Sequence, residues 1–98
     1  MKFKVKKTKE AQKNFNELTE EQKCLLKSDY EKIETKGIET VFIRTIDKGI
    51  FEIKTKDLRS IFKYKEGQII LIGVIYIKNS QKMPKNILKK CKKILKGD

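Results

Sequence analysis

The sequence predicts a single α+β domain over residues 1–98, because helical and strand patterns occupy separate parts of the chain. Apolar residues recur at helical spacing before Gly37, whereas four short runs rich in Ile, Val, Phe and Tyr follow from Val41 to Ile77. A third helical pattern begins after Pro84. A chain of 98 residues has room for one modest hydrophobic core, so we expect one domain.

The N-terminal part predicts a short strand followed by a helical hairpin. Apolar and lysine side chains alternate in the run FKVKKT, which is typical of a strand with one buried face. Thr8 can cap a first helix, and Thr19 with Gln22 forms a capping-box pattern for a second helix. Gly37 is expected to end the hairpin, since helices commonly end at a residue with positive φ. The buried stripe of the second helix is predicted to contain Leu26, Tyr30 and Ile33.

The middle of the chain predicts an antiparallel meander of four strands. The runs VFIRTI, GIFEIKT, LRSIFKY and QIILIGVIYIK are separated by short turns at 47–49, 56–57 and 65–67. Ile69–Ile77 is apolar at successive positions, so this strand is expected to be covered on both faces of the sheet, with a bulge at Gly73.

After Pro84 the sequence predicts a basic amphipathic helix. Its narrow apolar face contains Ile87, Leu88, Cys91, Ile94 and Leu95, and lysines cover the remainder. Cys91 and Cys24 both fall within helical apolar patterns, so we expect two reduced thiols in the core.

The charge of the chain predicts a polyanionic partner, with nucleic acid as the first candidate. The net charge is +12 and the pI is about 9.7. Residues 1–49 carry 12 basic and 9 acidic side chains, whereas residues 50–98 carry 13 basic and 4 acidic ones. The anion-binding surface is therefore expected in the second half.

Several classes of protein and site are disfavoured by the sequence. No run approaches the roughly 18 apolar residues of a membrane span, and no signal sequence is recognisable, so a cytoplasmic protein is expected. The chain has no histidine, which excludes catalysis by paired imidazoles. Clusters of Cys, His and carboxylate residues at ligand spacing are absent from the sequence, so neither a metal nor another cofactor is expected.

Three consecutive pieces of the second half resemble a known toxin family. They are GIFEIKT (49–55), LRSIFKY (58–64) and IILIGVIYIKNSQKMP (69–84), followed by the basic helix. In order and spacing they are similar to the phage-derived HigB branch of the RelE/ParE superfamily. Lys54 stands where that family usually has Arg, and Asn79 replaces the second residue of a Lys-Lys pair.

The resemblance implies a RelE-like two-layer domain. A twisted antiparallel sheet would pack on the N-terminal helical hairpin, with a C-terminal basic helix and an open, basic, concave face. It also implies the toxin of a type II toxin–antitoxin system that cleaves mRNA in the ribosomal A site and is neutralised by a cognate antitoxin. The alternatives are a ParE-like gyrase inhibitor, which has the same fold, and a noncatalytic protein that binds RNA or the ribosome.

Cleaving RNA without metal requires a base for the 2′-hydroxyl, cations for the phosphate and an acid for the leaving oxygen. Residues two apart share a strand face, so Glu52, Lys54 and Lys56 are predicted to form an exposed site together with Arg59 and Lys63 of the next strand. Arg59 suits the phosphate, and Lys54 and Lys78 suit either proton transfer or phosphate binding. Glu52 is expected to orient Lys54. The expected RNA contacts are Lys56, Lys63, Tyr76, Gln81 and Lys82.

Overall fold

This computed structural model describes residues 1–78 and 85–97. These residues form five strands and three α-helices. In chain order they are β1 (Lys4–Lys7), α1 (Lys9–Asn16), α2 (Glu20–Thr35), β2 (Phe42–Asp47), β3 (Ile50–Thr55), β4 (Leu58–Lys65), β5 (Ile69–Ile77) and α3 (Lys85–Gly97), with a 3₁₀ turn at Ile38–Thr40. This order confirms the α+β class. No helix in the described ranges is long and apolar enough to cross a lipid bilayer.

Capping hydrogen bonds confirm the predicted ends of the helical hairpin. The Thr8 hydroxyl accepts from the N–H of Ala11 at 3.1 Å. Thr19 and Gln22 cap each other at 3.1 and 3.0 Å. Gly37 follows the end of α2 with φ of 116°, a conformation that glycine adopts without a Cβ penalty. These caps set where the chain leaves the helices and enters β2.

The strands form one sheet in the order β1-β5-β4-β3-β2. The expected antiparallel meander is confirmed for β2 to β5, with turns at 48–49, 56–57 and 66–68. β1 departs from the expected antiparallel pairing, since it runs parallel to β5 with Val5 opposite Ile70. The reason is topological: the hairpin carries the chain from β1 to the opposite edge, and the meander returns beside β1 in the same direction.

Apolar side chains pack on both faces of the sheet. On one face α1 and α2 cover a core that contains Phe15, Tyr30, Ile53, Phe62 and Ile72, among others. On the other face α3 packs its Cys91 and Leu95 against Ile61, Leu71 and Val74. The resemblance implied helices on one side only, but β5 is apolar on both faces and α3 buries the second one.

Gly73 lets α3 approach the sheet closely. The pairing register of β4 and β5 shifts between Ile61 and Phe62, which leaves Gly73 as the extra residue of the bulge expected there. A Cβ atom at this position would lie 2.8 Å from Cys91 Sγ and 2.9 Å from Leu95 Cγ. No side chain fits in that space, so the glycine sets the depth at which α3 packs.

The two cysteines occupy different environments. Cys91 is buried as expected, and desolvation raises the pKa of its thiol to about 12. Cys24 is exposed, so its predicted core position is wrong. The buried stripe of α2 runs through Leu26, Tyr30 and Ile33, and Cys24 lies off this stripe.

Candidate functional site

A cavity of about 360 Å³ lies on the α3 side of the sheet, at the end where β3 turns into β4. Its lining residues come from β2, β3, β4 and the segment after β5, and they are Phe42, Ile43, Arg44, Glu52, Lys54, Arg59 and Lys78. Strand register explains this grouping, because Arg44 lies opposite Glu52 and Lys54 lies opposite Arg59. The cavity therefore contains the three residues predicted to be catalytic.

A larger cavity of about 700 Å³ lies at the other end of β4. It is lined by the start of α1, by lysines of β4 and α3, and by the apolar side chains of Leu71 and Ile94. None of the predicted site residues that the structure describes borders it. We assign the candidate site to the smaller cavity, because buried charges of both signs meet there.

Glu52 forms the charged centre of the smaller cavity. The residue is only 2% exposed, and its Oε1 lies 3.3 Å from Nη2 of Arg44 and 3.6 Å from Nε of Arg59. Among the described residues its ion pairs are with these two arginines and not with Lys54. The sequence-based expectation that Glu52 orients Lys54 is thus wrong: the carboxylate lies between the two guanidinium groups.

Arg59 is buried, although the alternation along β4 predicted an exposed position. It is 7% exposed, and Nη1 donates to the carbonyl oxygens of Lys56 at 2.6 Å and Leu58 at 2.9 Å. Its Nε is buried and has no hydrogen-bond acceptor. Nη2 makes no hydrogen bond to any part of the chain that the structure describes. The guanidinium is fixed on one side and available on the other.

Tyr76 completes the contacts of Glu52 from β5. Its hydroxyl donates to Oε2 of Glu52 in a long hydrogen bond of 3.5 Å, and its ring packs beside the core under α3. Desolvation raises the pKa of Tyr76 to about 12, and the negative charge of Glu52 adds to this effect. The phenol therefore stays protonated near neutral pH and acts as a hydrogen-bond donor.

The other predicted residues are distributed unevenly around this centre. Lys54 is exposed at the rim, and the half-buried Lys78 lines the cavity, with its backbone N–H bound to the Asp57 carbonyl at 2.7 Å. Lys56 is exposed in the β3–β4 turn and contributes its carbonyl to Arg59. Lys63 lies away from the cavity, where its ammonium binds the Leu95 carbonyl near the end of α3. Gln81 and Lys82 fall outside the described residues.

Three cavity residues were not identified from the sequence, and two of them, Phe42 and Arg44, carry an aromatic ring and a cation. Both lie on β2 and project to the same face as Glu52 and Lys54, which are their partners in β3. Phe42 is 77% exposed, the largest exposed fraction of any large apolar side chain among the described residues. The sequence did contain a signal: Arg44 and Arg59 are the only arginines among 25 basic residues.

These residues make a cationic pocket suited to a phosphate. Four cations border a single carboxylate, and arginine pairs with phosphate oxygens through a planar fork of donors. Among the described residues, no three side chains of His, Cys, Asp or Glu are grouped in a way that could hold a metal ion.

Comparison with known proteins shows which family this chain belongs to. The family described as "Phage derived protein Gp49-like" matches residues 13–96, which is most of the chain. The chain belongs to the Gp49-like family. No curated protein sequence matches this Gp49-like chain significantly.

Solved structures show that the Gp49-like chain has the fold of RelE toxins. The toxin–antitoxin complex RelBE2 of Mycobacterium tuberculosis matches with a TM-score of 0.65 and 10% identity over 80% of this chain and 100% of that one. The RelE–RelB complex of Pyrococcus horikoshii matches with a TM-score of 0.66 and 15% identity, over 81% of this chain and 98% of that one. The isolated RelE toxin of E. coli matches with a TM-score of 0.58 and 17% identity, over 97% of this chain and 100% of that one. The expected RelE-like fold is confirmed, and assignment to a HigB-like branch stays a prediction.

Proposed function

We propose that this chain is the toxin of a type II toxin–antitoxin pair and that it cleaves mRNA on the ribosome without a metal ion. The observation that carries this proposal is the cavity in which both arginines of the chain meet Lys54 and Lys78 on a RelE-type sheet. Cleavage would proceed by attack of a 2′-hydroxyl on the adjacent phosphorus, which forms the bond to O2′ and breaks the bond to the 5′-oxygen. It requires stabilisation of the charge on the phosphate, removal of the 2′-hydroxyl proton and protonation of the leaving 5′-oxygen.

The arginines supply the charge stabilisation in this mechanism. Arg59 is fixed by two backbone carbonyls, so its remaining guanidinium nitrogen can meet a phosphate oxygen without reorganisation. Arg44 approaches the same cavity from the edge strand β2, on the other side of β3. Negative charge that develops on the phosphate would therefore be stabilised by two guanidinium groups.

Proton transfer is assigned to the lysines. The chain has no histidine, and the raised pKa of Tyr76 keeps this phenol neutral, which makes it a poor base. Lys54 lies at the rim and Lys78 in the lining, so the two ammonium groups can reach the cavity from different strands. Either can bind the phosphate or exchange a proton with the RNA.

Phe42 gives the cavity a surface for a nucleobase. Its ring is largely exposed beside Lys54, and aromatic rings beside cationic grooves bind unstacked bases. A ParE-like gyrase inhibitor, which binds a protein, would not need this combination of a phosphate pocket and a stacking surface.

The antitoxin is the proposed protein partner. Three of the matching structures are RelE-type toxins in complex with their antitoxins. An acidic segment laid across the cavity would block the phosphate position and neutralise the cations around Glu52.

Growth arrest and mRNA cleavage test the proposal together. The protein is induced in bacteria, and primer extension maps the 5′ ends of cellular mRNA, with Lys54→Ala as the site variant and Lys36→Ala as a control for loss of one exposed lysine. We expect in-frame cleavages that Lys54→Ala removes and Lys36→Ala retains. Growth arrest with intact mRNA and inhibited DNA supercoiling would favour the gyrase inhibitor, and binding to ribosomes without cleavage would favour the noncatalytic protein.

A further inference from the structure

The cationic cavity contains an acid that reduces its attraction for RNA. Among the described residues, Glu52 is the only acidic side chain that is buried. A carboxylate is rarely buried unless it is paired, and this one offsets one of the four cations around it. A site selected only for phosphate affinity would not place a negative charge at its centre.

Glu52 contacts both arginines of the chain. Of 25 basic residues only two are arginine, and the same carboxylate oxygen lies within 3.6 Å of both. Arg44 is on β2 and Arg59 on β4, whereas Glu52 is on β3 between them. The carboxylate therefore links guanidinium groups from two strands that do not pair with each other.

The two arginines depend on Glu52 to different degrees. Arg59 is also bound by two backbone carbonyls. The side chain of Arg44 is 58% exposed, and its ion pair with Glu52 is the one polar side-chain contact it makes among the described residues. Without this contact Arg44 would sample many rotamers in solvent, as long exposed side chains do.

We propose that Glu52 is a positioning residue whose carboxylate holds Arg44 and Arg59 at one phosphate position and does not itself act on the RNA. This inference rests on the proposed function for the identity of the phosphate. The Tyr76 hydroxyl holds the second carboxylate oxygen, which restricts rotation of the carboxylate.

A positioning role predicts opposite changes in affinity and rate. Glu52→Gln removes a negative charge, so RNA should bind about two- to fivefold more tightly. Misplacement of the guanidinium groups should lower kcat about a hundredfold. Glu52→Asp keeps the charge but withdraws the carboxylate, so kcat should fall with no gain in affinity. Glu66→Gln is the matched control, because Glu66 is an exposed acid in the turn between β4 and β5.

The experiment measures cleavage of a short mRNA on purified ribosomes, with KM and kcat determined separately for the wild type and the three variants. Side-chain ¹H–¹⁵N spectra of the folded proteins then report the Nε–Hε groups of the two arginines, which give only two signals to assign. We expect Glu52→Gln to shift both signals and to average that of Arg44 toward the value of a free side chain.

Each outcome decides the proposal. An unchanged kcat, or a KM that rises as kcat falls, would overturn it, as would arginine signals that are unchanged in Glu52→Gln. If Glu52→Gln does not fold, Glu52→Asp carries the same test through kcat and the arginine signals. If the wild type cleaves no RNA, the proposed function fails by itself, and the spectra still decide whether Glu52 positions the arginines.

Discussion

Replacing Arg59 by alanine should reduce stability as well as activity, because Arg59 is buried beside a buried acid. Glu52 would keep Arg44 and Tyr76 as partners but lose the guanidinium at 3.6 Å. Removing one partner of a buried ion pair typically costs about 3–5 kcal/mol. Since the exposed Arg44 compensates in part, we expect a loss of about 3 kcal/mol in the free energy of unfolding.

This loss is large enough to measure as a change in Tm. For a domain of this size, 1 kcal/mol corresponds to roughly 4–8 °C in Tm, so Arg59→Ala should melt roughly 12–24 °C lower. Lys54→Ala removes an exposed cation from the same site and should change stability by less than about 0.5 kcal/mol. Both variants should lose activity, but only one should lose stability.

Urea denaturation followed by circular dichroism checks this difference, with m-values compared to establish two-state unfolding. The double variant Arg59→Ala/Glu52→Ala removes the buried carboxylate as well, which Arg44 compensates only in part, and should regain part of the stability. If Arg59→Ala is within about 1 kcal/mol of the wild type, or if the double variant regains nothing, then the buried carboxylate of Glu52 does not destabilise the single variant and the reasoning fails.

Three further predictions follow from the packing and chemistry around the site. Gly73→Ala places a methyl group against Cys91 and Leu95 and should cost about 1–3 kcal/mol, measured by urea denaturation; unchanged stability would mean that α3 moves away freely. Phe42→Ala should lower mRNA cleavage about tenfold with an unchanged Tm, because a base stack is lost from an exposed ring; an equal rate would exclude stacking. The raised pKa of Tyr76 implies stability that is present below pH 10 and lost as the pH rises toward about 12, so Tyr76→Phe should flatten that decline in pH-dependent thermal melts.

Local sequence signals predicted the elements of the fold well. The capping residues Thr8 and Thr19, the glycine at 37 and the turns between strands each act over a few residues, so their consequences could be read directly. The parallel pairing of β1 and the placement of α3 depend on contacts between distant segments, which no local pattern encodes.

The site was predicted in part for the same reason. Alternation along β3 and β4 correctly brought Lys54 and Arg59 together on one face. It gave no information on how deeply a long side chain is buried, so the depth of Arg59 and the partners of Glu52 were missed. Lys63 follows the alternation as well, but α3 covers that end of β4 and engages its ammonium.

The cavity draws its side chains from four segments that are made one after another between residues 42 and 78. On the ribosome these residues emerge after the helical hairpin, and Lys78 emerges last. The pocket cannot assemble until β5 has left the exit tunnel and paired with β4. A nascent chain therefore lacks the cavity until β5 has been made and has paired with β4, so the cationic site and the complete sheet arise in the same step.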